Sequence, residues 1–594
     1  MCGFIATIGF DINKNTQKEI IKFLSHRGPD YSSTNFNKKF NAYVFFNRLA
    51  INDLSRNGNM PFFIQNKKIL MVANCEIYNF KLLKDFLISK NYKFKSNSDA
   101  EVIIKGYQYY GEMIFKKIKG MFTILILDET KNKIFIARDN LGIKPLYFYR
   151  ENKSFIFSSE FLPILKIKKK LKLKNKLITG YSINSRSFDT EQNTIISDIF
   201  KFDTGSFASI ENSKSKMKVK KIFHPKFNKI NMSYSKKIEI FGDLLEKSLK
   251  THMISDRPVS VLLSGGIDSS LLAVMAKKIN KNIDTYTIDV ERSLSDDDKN
   301  IINRLSQDYE IRNKIINISY YEIMQNIEKI INIYDDLSSF DGGFITNYLL
   351  SKKIKNKSKV ILVGDGADEL LAGYSWFGLS KYPFKILSKN LKKRMLNYIY
   401  SGNFLLDDKF NNNFEENLKH NGLNFFDRIR LFELTKQLPN SYLTKVDRST
   451  MANSIEARVP YLDNDLIEFC LKLNDGDLID GNFYFFNSFK NPVEKKILRD
   501  FAKNYLPNEI VYKKKKGFSL SPKKMLYSNL TKVESIIFDN NAYSNNFFDK
   551  SKKKQIYNNF INSSHTISEK KTENLIWKIF ITDIWFKKFI QYID

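Results

Sequence analysis

Cys2, directly behind the initiator methionine, has an unusual chemical option. Its small side chain permits removal of Met1, and the first residue then carries both a thiol and an α-amine, able to act together as nucleophile and base. An unperturbed α-amine titrates near ~7.7–8.0, so it accepts a proton at neutral pH without a histidine. That suits a chain with 5 histidines. Far downstream, Val261-Leu262-Leu263 leads into Ser264-Gly265-Gly266-Ile267-Asp268-Ser269-Ser270 and then a helix. Two glycines let the backbone approach phosphate, hydroxyls and a helix N-terminus bind anionic oxygens, and Asp268 can hold Mg²⁺. The loop lacks the Gly-Lys-Ser/Thr ending of the kinase type. A third cluster, Gly364-Asp365-Gly366-Ala367-Asp368-Glu369, gathers carboxylates that repel one another unless a cation is present.

Company strengthens the reading of Cys2. His26-Arg27-Gly28-Pro29-Asp30, Asn47-Arg48-Leu49-Ala50-Ile51, Asn74-Cys75-Glu76-Ile77-Tyr78-Asn79, Ser98-Asp99-Ala100-Glu101 and Arg138-Asp139-Asn140-Leu141-Gly142-Ile143-Lys144-Pro145-Leu146-Tyr147 follow it in that order. A zwitterionic amide calls for a guanidinium, a carboxylate and oxyanion donors. Together these motifs resemble the N-terminal-nucleophile glutaminase domain of the asparagine synthetase B family. The resemblance implies thioester chemistry at Cys2, with Asn74 and the backbone N–H of Cys75 as oxyanion hole. It implies a glutamine site formed by Arg48, Leu49, Ala50, Ile51, Asn74, Cys75, Glu76 and Asp99, with Arg48 on the α-carboxylate and Glu76 and Asp99 on the α-amine. Arg27 and Arg138 read as structural ion-pair partners, and Asp30 and Asp139 as turn caps. The family normally has glycine in place of Cys75. If that backbone needs positive φ, the side chain costs on the order of 1–2 kcal/mol, and altered glutaminase activity is expected.

The glycine-serine loop is similar to the SGGxDS loop of ATP pyrophosphatases, which cleave between the α- and β-phosphates and leave an adenylate. An ATP site is thereby implied at Leu263, Ser264, Gly265, Gly266, Asp268, Ser269, Ser270, Ile288, Val363 and Gly364, with Mg²⁺ on Asp268 and Asp368. Asp365 stands where the family has a longer Glu proposed to act when ammonia meets the adenylate. The segments Leu438 to Ala452 and Glu456 to Asp463 resemble the synthetase signature, and most of their residues read equally well as a buried polar network. Tyr512 to Phe518 aligns with a catalytic-lysine segment, placing Lys515 on the departing pyrophosphate.

The elements that must position these groups fall into two regions. From Cys2 to about Ile210, short alternating apolar segments broken by Gly, Asn and Asp turns predict a β-rich domain with a few helices. Residues 211–234 are polar and read as a linker. Residues 235–594 predict helices alternating with buried strands at Val259 to Leu263 and Val360 to Val363, then a mainly helical remainder. Alternation argues for a parallel sheet with ligands at the strands' C-terminal ends. With the resemblance, the expected fold is two-domain α/β: an Ntn-hydrolase-type αββα sandwich over 1–210, then a parallel-sheet ATP-pyrophosphatase domain with a helical C-terminal part.

A chain of 594 residues exceeds one usual core, and 43% hydrophobic content excludes general disorder. The net charge of +32 raises a polyanion partner, but dispersed lysines beside abundant Asn, Ile, Phe and Tyr fit drift in base composition better. Cys2, Cys75 and Cys470 form no disulfide framework and fit a reducing cytoplasm. No apolar run reaches the ~20 residues of a membrane span. The implied reaction is ATP-driven, glutamine-dependent amidation of a carboxylate. The acceptor is aspartate or another small carboxylate, such as a sugar acid of surface polysaccharides. A tRNA-modifying adenylating enzyme is the alternative from another class, although such an enzyme needs no glutamine-binding domain. The partners expected are small molecules and a homodimer mate, without membrane or nucleic acid.

Overall fold

The computed structural model describes residues 2–593 other than 67, 169, 175–193, 212–216, 293, 336, 338–341, 380–421, 481–492, 514–519 and 563–566. Its first half is built on two antiparallel six-stranded sheets. One contains β1 (Gly3–Ile8), β2 (Tyr31–Asn37), β3 (Ala42–Arg48), β8 (Tyr147–Glu151), β9 (Ser154–Ser158) and β10 (Ile199–Lys201), in the order β10-β8-β9-β1-β3-β2. The other contains β4 (Phe62–Ile64), β5 (Ile69–Ile77), β6 (Gly120–Asp128), β7 (Lys133–Arg138), β11 (Ser206–Glu211) and β12 (Met217–Lys221), in the order β12-β11-β7-β6-β5-β4. β5 and β6 are buried along their whole length, so both of their faces read as apolar rather than alternating. β1 packs on β5 across the sheets, the helix Lys14–Phe23 covers the first sheet, and the helix Glu101–Tyr110 packs against β4 of the second. This is the αββα sandwich, and it brings the start of β1 beside the end of β5.

One boundary differs from the sequence expectation. β12 lies inside the stretch read as linker, and it pairs antiparallel with β11. Its residues, Met-Lys-Val-Lys-Lys, are mostly exposed, as befits a lysine-bearing edge strand with too little apolar alternation to announce itself.

The second half is organised around a parallel sheet of β13 (Val259–Leu262), β14 (Asp284–Val290), β15 (Arg312–Ile318), β16 (Val360–Leu362) and β17 (Glu456–Arg458), in the order β15-β14-β13-β16-β17. β13 and β16 are neighbours, so their C-terminal loops, Leu263 to Gly266 and Val363 to Gly366, emerge side by side. β17 is the edge strand, in register with β16 from Val360↔Glu456 to Leu362↔Arg458. Late helices, including Lys550–Ile561 and Ile567–Phe589, share one apolar cluster with Ile5, Phe45 and Tyr147 of the first domain. No described helix is long and apolar enough to cross a membrane.

Candidate active sites

The first site lies where β1 begins. The backbone nitrogen of Cys2 donates to Asn74 Oδ1 at 3.0 Å. Asn74 Nδ2 is buried with no hydrogen-bond partner, a donor left over for an oxyanion. Burial raises the Cys2 thiol above its ordinary range, while the Leu49 N–H and the Arg48 guanidinium favour its thiolate. Arg48 is held by the loop after it, donating to Ser55 O at 2.9 Å, Asn59 Oδ1 at 2.7 Å and also to Asp53 O. Ala50 is fixed from both sides: its N–H donates to Asp30 Oδ2 at 2.8 Å, and its carbonyl accepts from Arg257 Nε at 3.1 Å. Asp30 therefore braces the Leu49-Ala50-Ile51 strip rather than capping a turn. Asp139 does cap one, accepting from the N–H groups of Ile143 at 2.8 Å and Lys144 at 3.0 Å.

Cys75 sits in the extended backbone of β5, opposite Phe122, so the left-handed strain considered for it does not arise. Its Sγ lies 3.9 Å from Asp99 Oδ2, which also accepts the Ile77 N–H at 2.8 Å. Burial pushes the Asp99 carboxyl up to about 6. Glu76 is differently placed: Oε1 accepts from Asn52 Nδ2 at 2.6 Å and Oε2 pairs with Arg458 of the second domain at 2.8 Å.

That ion pair belongs to a buried network across the domain boundary. Arg27, fully buried, donates from Nε to the Cys2 carbonyl at 3.2 Å, from Nη1 to Glu160 at 3.2 Å and from Nη2 to Asp447 at 2.8 Å. Arg448 pairs with Glu160 at 3.0 Å and Asp335 at 2.9 Å, and Arg458 Nε with Glu456 at 2.6 Å. Burial opposes ionisation of Glu160 and Glu456, yet the guanidinium of Arg448 holds the first, and that of Arg458 the second, down to about 2. Arg27 is thus the ion-pair residue expected. Arg138 is not, because its donors go to the carbonyls of Lys144, Phe202 and Gly142.

At the second site, Gly265 has φ +75°, a conformation that favours glycine, and Gly266 caps the helix Ile267–Ile279. Ser269 Oγ accepts the Ser264 N–H at 3.1 Å, and Ser270 Oγ is buried without a hydrogen-bond partner. Leu263 donates its N–H to Tyr286 O at 2.8 Å, tying the loop to β14, the strand that carries Ile288. Gly364 allows close packing, since a Cβ there would lie 3.2 Å from Asp268 Cβ, and the Val363 N–H donates to Arg458 O at 3.0 Å. Asp365 follows, its carboxyl raised by burial and lowered by Lys445.

Sequence reasoning missed Lys495. Its Nζ lies 2.6 Å from Asp268 Oδ2 and 2.6 Å from Asp368 Oδ1, and despite burial the two carboxylates hold its ammonium above the ordinary lysine range. Asp268 and Asp368 thus converge on one cation position, an arrangement of hard oxygen donors that fits Mg²⁺. Lys515, with Gly517 and Phe518, lies outside the described residues. Lys513, just before it, reaches Asp298 and lies 3.4 Å from Gly265 O.

Two such sites in one chain define a class: a glutamine amidotransferase domain joined to an ATP-pyrophosphatase-like synthetase domain. The chain matches the glutamine amidotransferase domain model over residues 1–221 and the asparagine synthase model over residues 241–587. It belongs to the asparagine synthase family and is a carbon–nitrogen ligase with glutamine as amido donor. The glutamine-hydrolyzing asparagine synthetase 1 of Bacillus subtilis (strain 168) is 28% identical, over 98% of this chain and 96% of that one. The glutamine-hydrolyzing asparagine synthetase B of Escherichia coli (strain K12) is 24% identical, over 84% and 78%. Among solved structures, the glutamine phosphoribosylpyrophosphate amidotransferase of B. subtilis matches 54% of this chain and 81% of that one at 13% identity, with a TM-score of 0.31.

Proposed function

We propose that this enzyme converts aspartate, glutamine and ATP to asparagine, glutamate, AMP and pyrophosphate. Once Met1 is removed, the α-amine of Cys2 takes the thiol proton and the sulfur attacks the glutamine side-chain amide. Asn74 Nδ2 and the N–H of Cys75 receive the oxyanion, ammonia leaves, and water releases glutamate from the thioester. Arg48 holds the glutamine carboxylate and Asp99 its ammonium, with Glu76 acting on that ammonium only as far as its pairing with Arg458 allows.

At the second site the acceptor carboxylate attacks the α-phosphorus of ATP, pyrophosphate departs, and ammonia displaces AMP from the acyl-adenylate. Asp268 and Asp368 would hold Mg²⁺, which supplies charge neutralisation for the phosphates. Lys495 then turns from the two carboxylates to the leaving pyrophosphate, a role shared with Lys515. Water exclusion protects the adenylate from hydrolysis. Three unpaired cysteines support a reducing, cytoplasmic setting.

The observation that carries this reading is the chain of buried charges from the Cys2 carbonyl through Arg27 to Asp447 of the synthetase half. Aspartate as acceptor rests on the names of the relatives. The test is incubation of Met1-processed protein with glutamine, Mg-ATP and aspartate, followed by mass spectrometry. Equal amounts of asparagine, AMP and pyrophosphate are expected, with Cys2→Ala abolishing glutamine-dependent but not ammonia-dependent synthesis. Glutamate released without AMP or asparagine would sink aspartate and direct the search to other carboxylates, sugar acids first.

A further inference from the structure

A cavity of about 620 Å³ lies at the junction of the two domains and the segment between them, apart from both sites described above. Five cationic side chains line it, Arg138, Lys201, Lys221, Lys226 and Lys436, against one carboxylate, Asp203. Lys221 partly answers Asp203, at 3.8 Å, and donates to Thr204 O at 2.9 Å. Arg138 spends its N–H groups on carbonyls, so it contributes positive potential rather than hydrogen bonds. Burial lowers the Lys221 ammonium, and the charges of Lys436 and Arg138 add to that despite Asp203. Aromatic rings, Phe202, Phe223 and Phe227, complete the lining.

Like charges grouped around a partly open hollow, with Lys221 and Lys226 reaching solvent, concentrate positive potential at its mouth. A volume of this size falls within the ~300–1,000 Å³ range of small-molecule sites. We infer that this cavity is a binding site for a phosphorylated small molecule with a planar or apolar portion: phosphate oxygens meet the lysine ammonium groups, and the organic portion lies on the phenylalanine rings.

The position gives an occupant a route to Cys2. Lys436 stands in the π-helical segment Glu433–Leu443, which runs directly into the helix Thr444–Met451 carrying Asp447. On the opposite wall Arg138 fixes the carbonyl of Lys144, whose ammonium lies 3.7 Å from Asp447. Both walls therefore end at the carboxylate that holds Arg27.

Calorimetric titration of the full-length protein with GMP, in the presence of a saturating non-hydrolysable ATP analogue, tests the site. One saturable GMP site is expected, weakened by about tenfold or more in Lys226→Glu/Lys436→Glu and by added salt. Inorganic phosphate should compete with GMP but bind more weakly. Unchanged ATP-analogue affinity shows that the variant is folded, and Lys436→Gln, with an expected loss of about threefold, serves if the double variant does not fold. Absence of saturable GMP binding, equal affinity in wild type and variants, or displacement of GMP by the ATP analogue would overturn the inference.

Discussion

At Cys75 the strand backbone is extended and demands no glycine, yet the thiol reaches Asp99, the carboxylate assigned to the glutamine ammonium. A sulfur contact on that carboxylate competes with substrate. Cys75→Gly should lower KM for glutamine by about threefold, the worth of one weak hydrogen bond, and leave ammonia-dependent turnover unchanged. Glycine within a strand costs up to about 1 kcal/mol, so melting temperature should fall slightly while KM improves. An unchanged or higher KM would show that the thiol does not touch the substrate's place. Lys495 gives a sharper case. Lys495→Met removes the buried ammonium that bridges Asp268 and Asp368, and breaking a buried ion pair by removing one partner costs up to about 3–5 kcal/mol. The variant should melt lower without metal, recover more of its stability with Mg²⁺ than wild type does, and form little AMP. If Mg²⁺ stabilises both proteins equally, the two carboxylates are not a shared cation site.

The turn after the short helix Ala367–Leu371 shows how an element holds such a pair in place. Ala372 adopts φ +57°, and at Gly373 a Cβ would approach Asp368 Oδ1 to 2.0 Å and Lys495 Cε to 2.1 Å. Gly373→Ala must displace one of them. ATP-dependent AMP formation should fall by about a hundredfold, from a misplacement of only about 1 Å, while glutamine hydrolysis at Cys2 persists. Loss of both activities together would mean that the turn supports the whole fold. Elements of this kind also explain what could be read in advance. The loop at Ser264 to Ser270 was legible because positive φ, close phosphate approach and a helix start are local demands, met by adjacent residues. The pairing of Lys495 with Asp268 was not, since 227 positions separate them and nothing in the short-range pattern marks either as the other's partner. Arg27 was legible as an ion-pair residue and Asp447 as a member of a buried polar network, but their pairing across 420 positions was not. β12 escaped because an exposed lysine-rich edge strand lacks the alternation by which strands are recognised.

At the scale of the molecule, a shared apolar cluster and the buried charge network around Asp447 both hold the domains together. The charge network responds to pH. Glu160 and Glu456 are held down to about 2, below the ordinary glutamate range near 4.5. A depressed carboxylate contributes stability that is fully present above the unfolded pKa and lost as pH falls through the folded one. Between about pH 4.5 and 2 the Glu160–Arg448 pair across the boundary is therefore lost, together with the Glu456–Arg458 pair beside it. Over the same interval the other carboxylates protonate, and a chain already at +32 becomes still more positive. Repulsion then pulls on an interface whose apolar part is unchanged, while β5 and β6, buried along their length, retain their ladder. Small-angle scattering at low salt should show the radius of gyration rising near pH 3 before far-ultraviolet circular dichroism declines, and added salt should delay the expansion by screening the excess charge. Simultaneous loss of both signals above pH 4.5 would mean that the cores, not the charge network, set the acid limit.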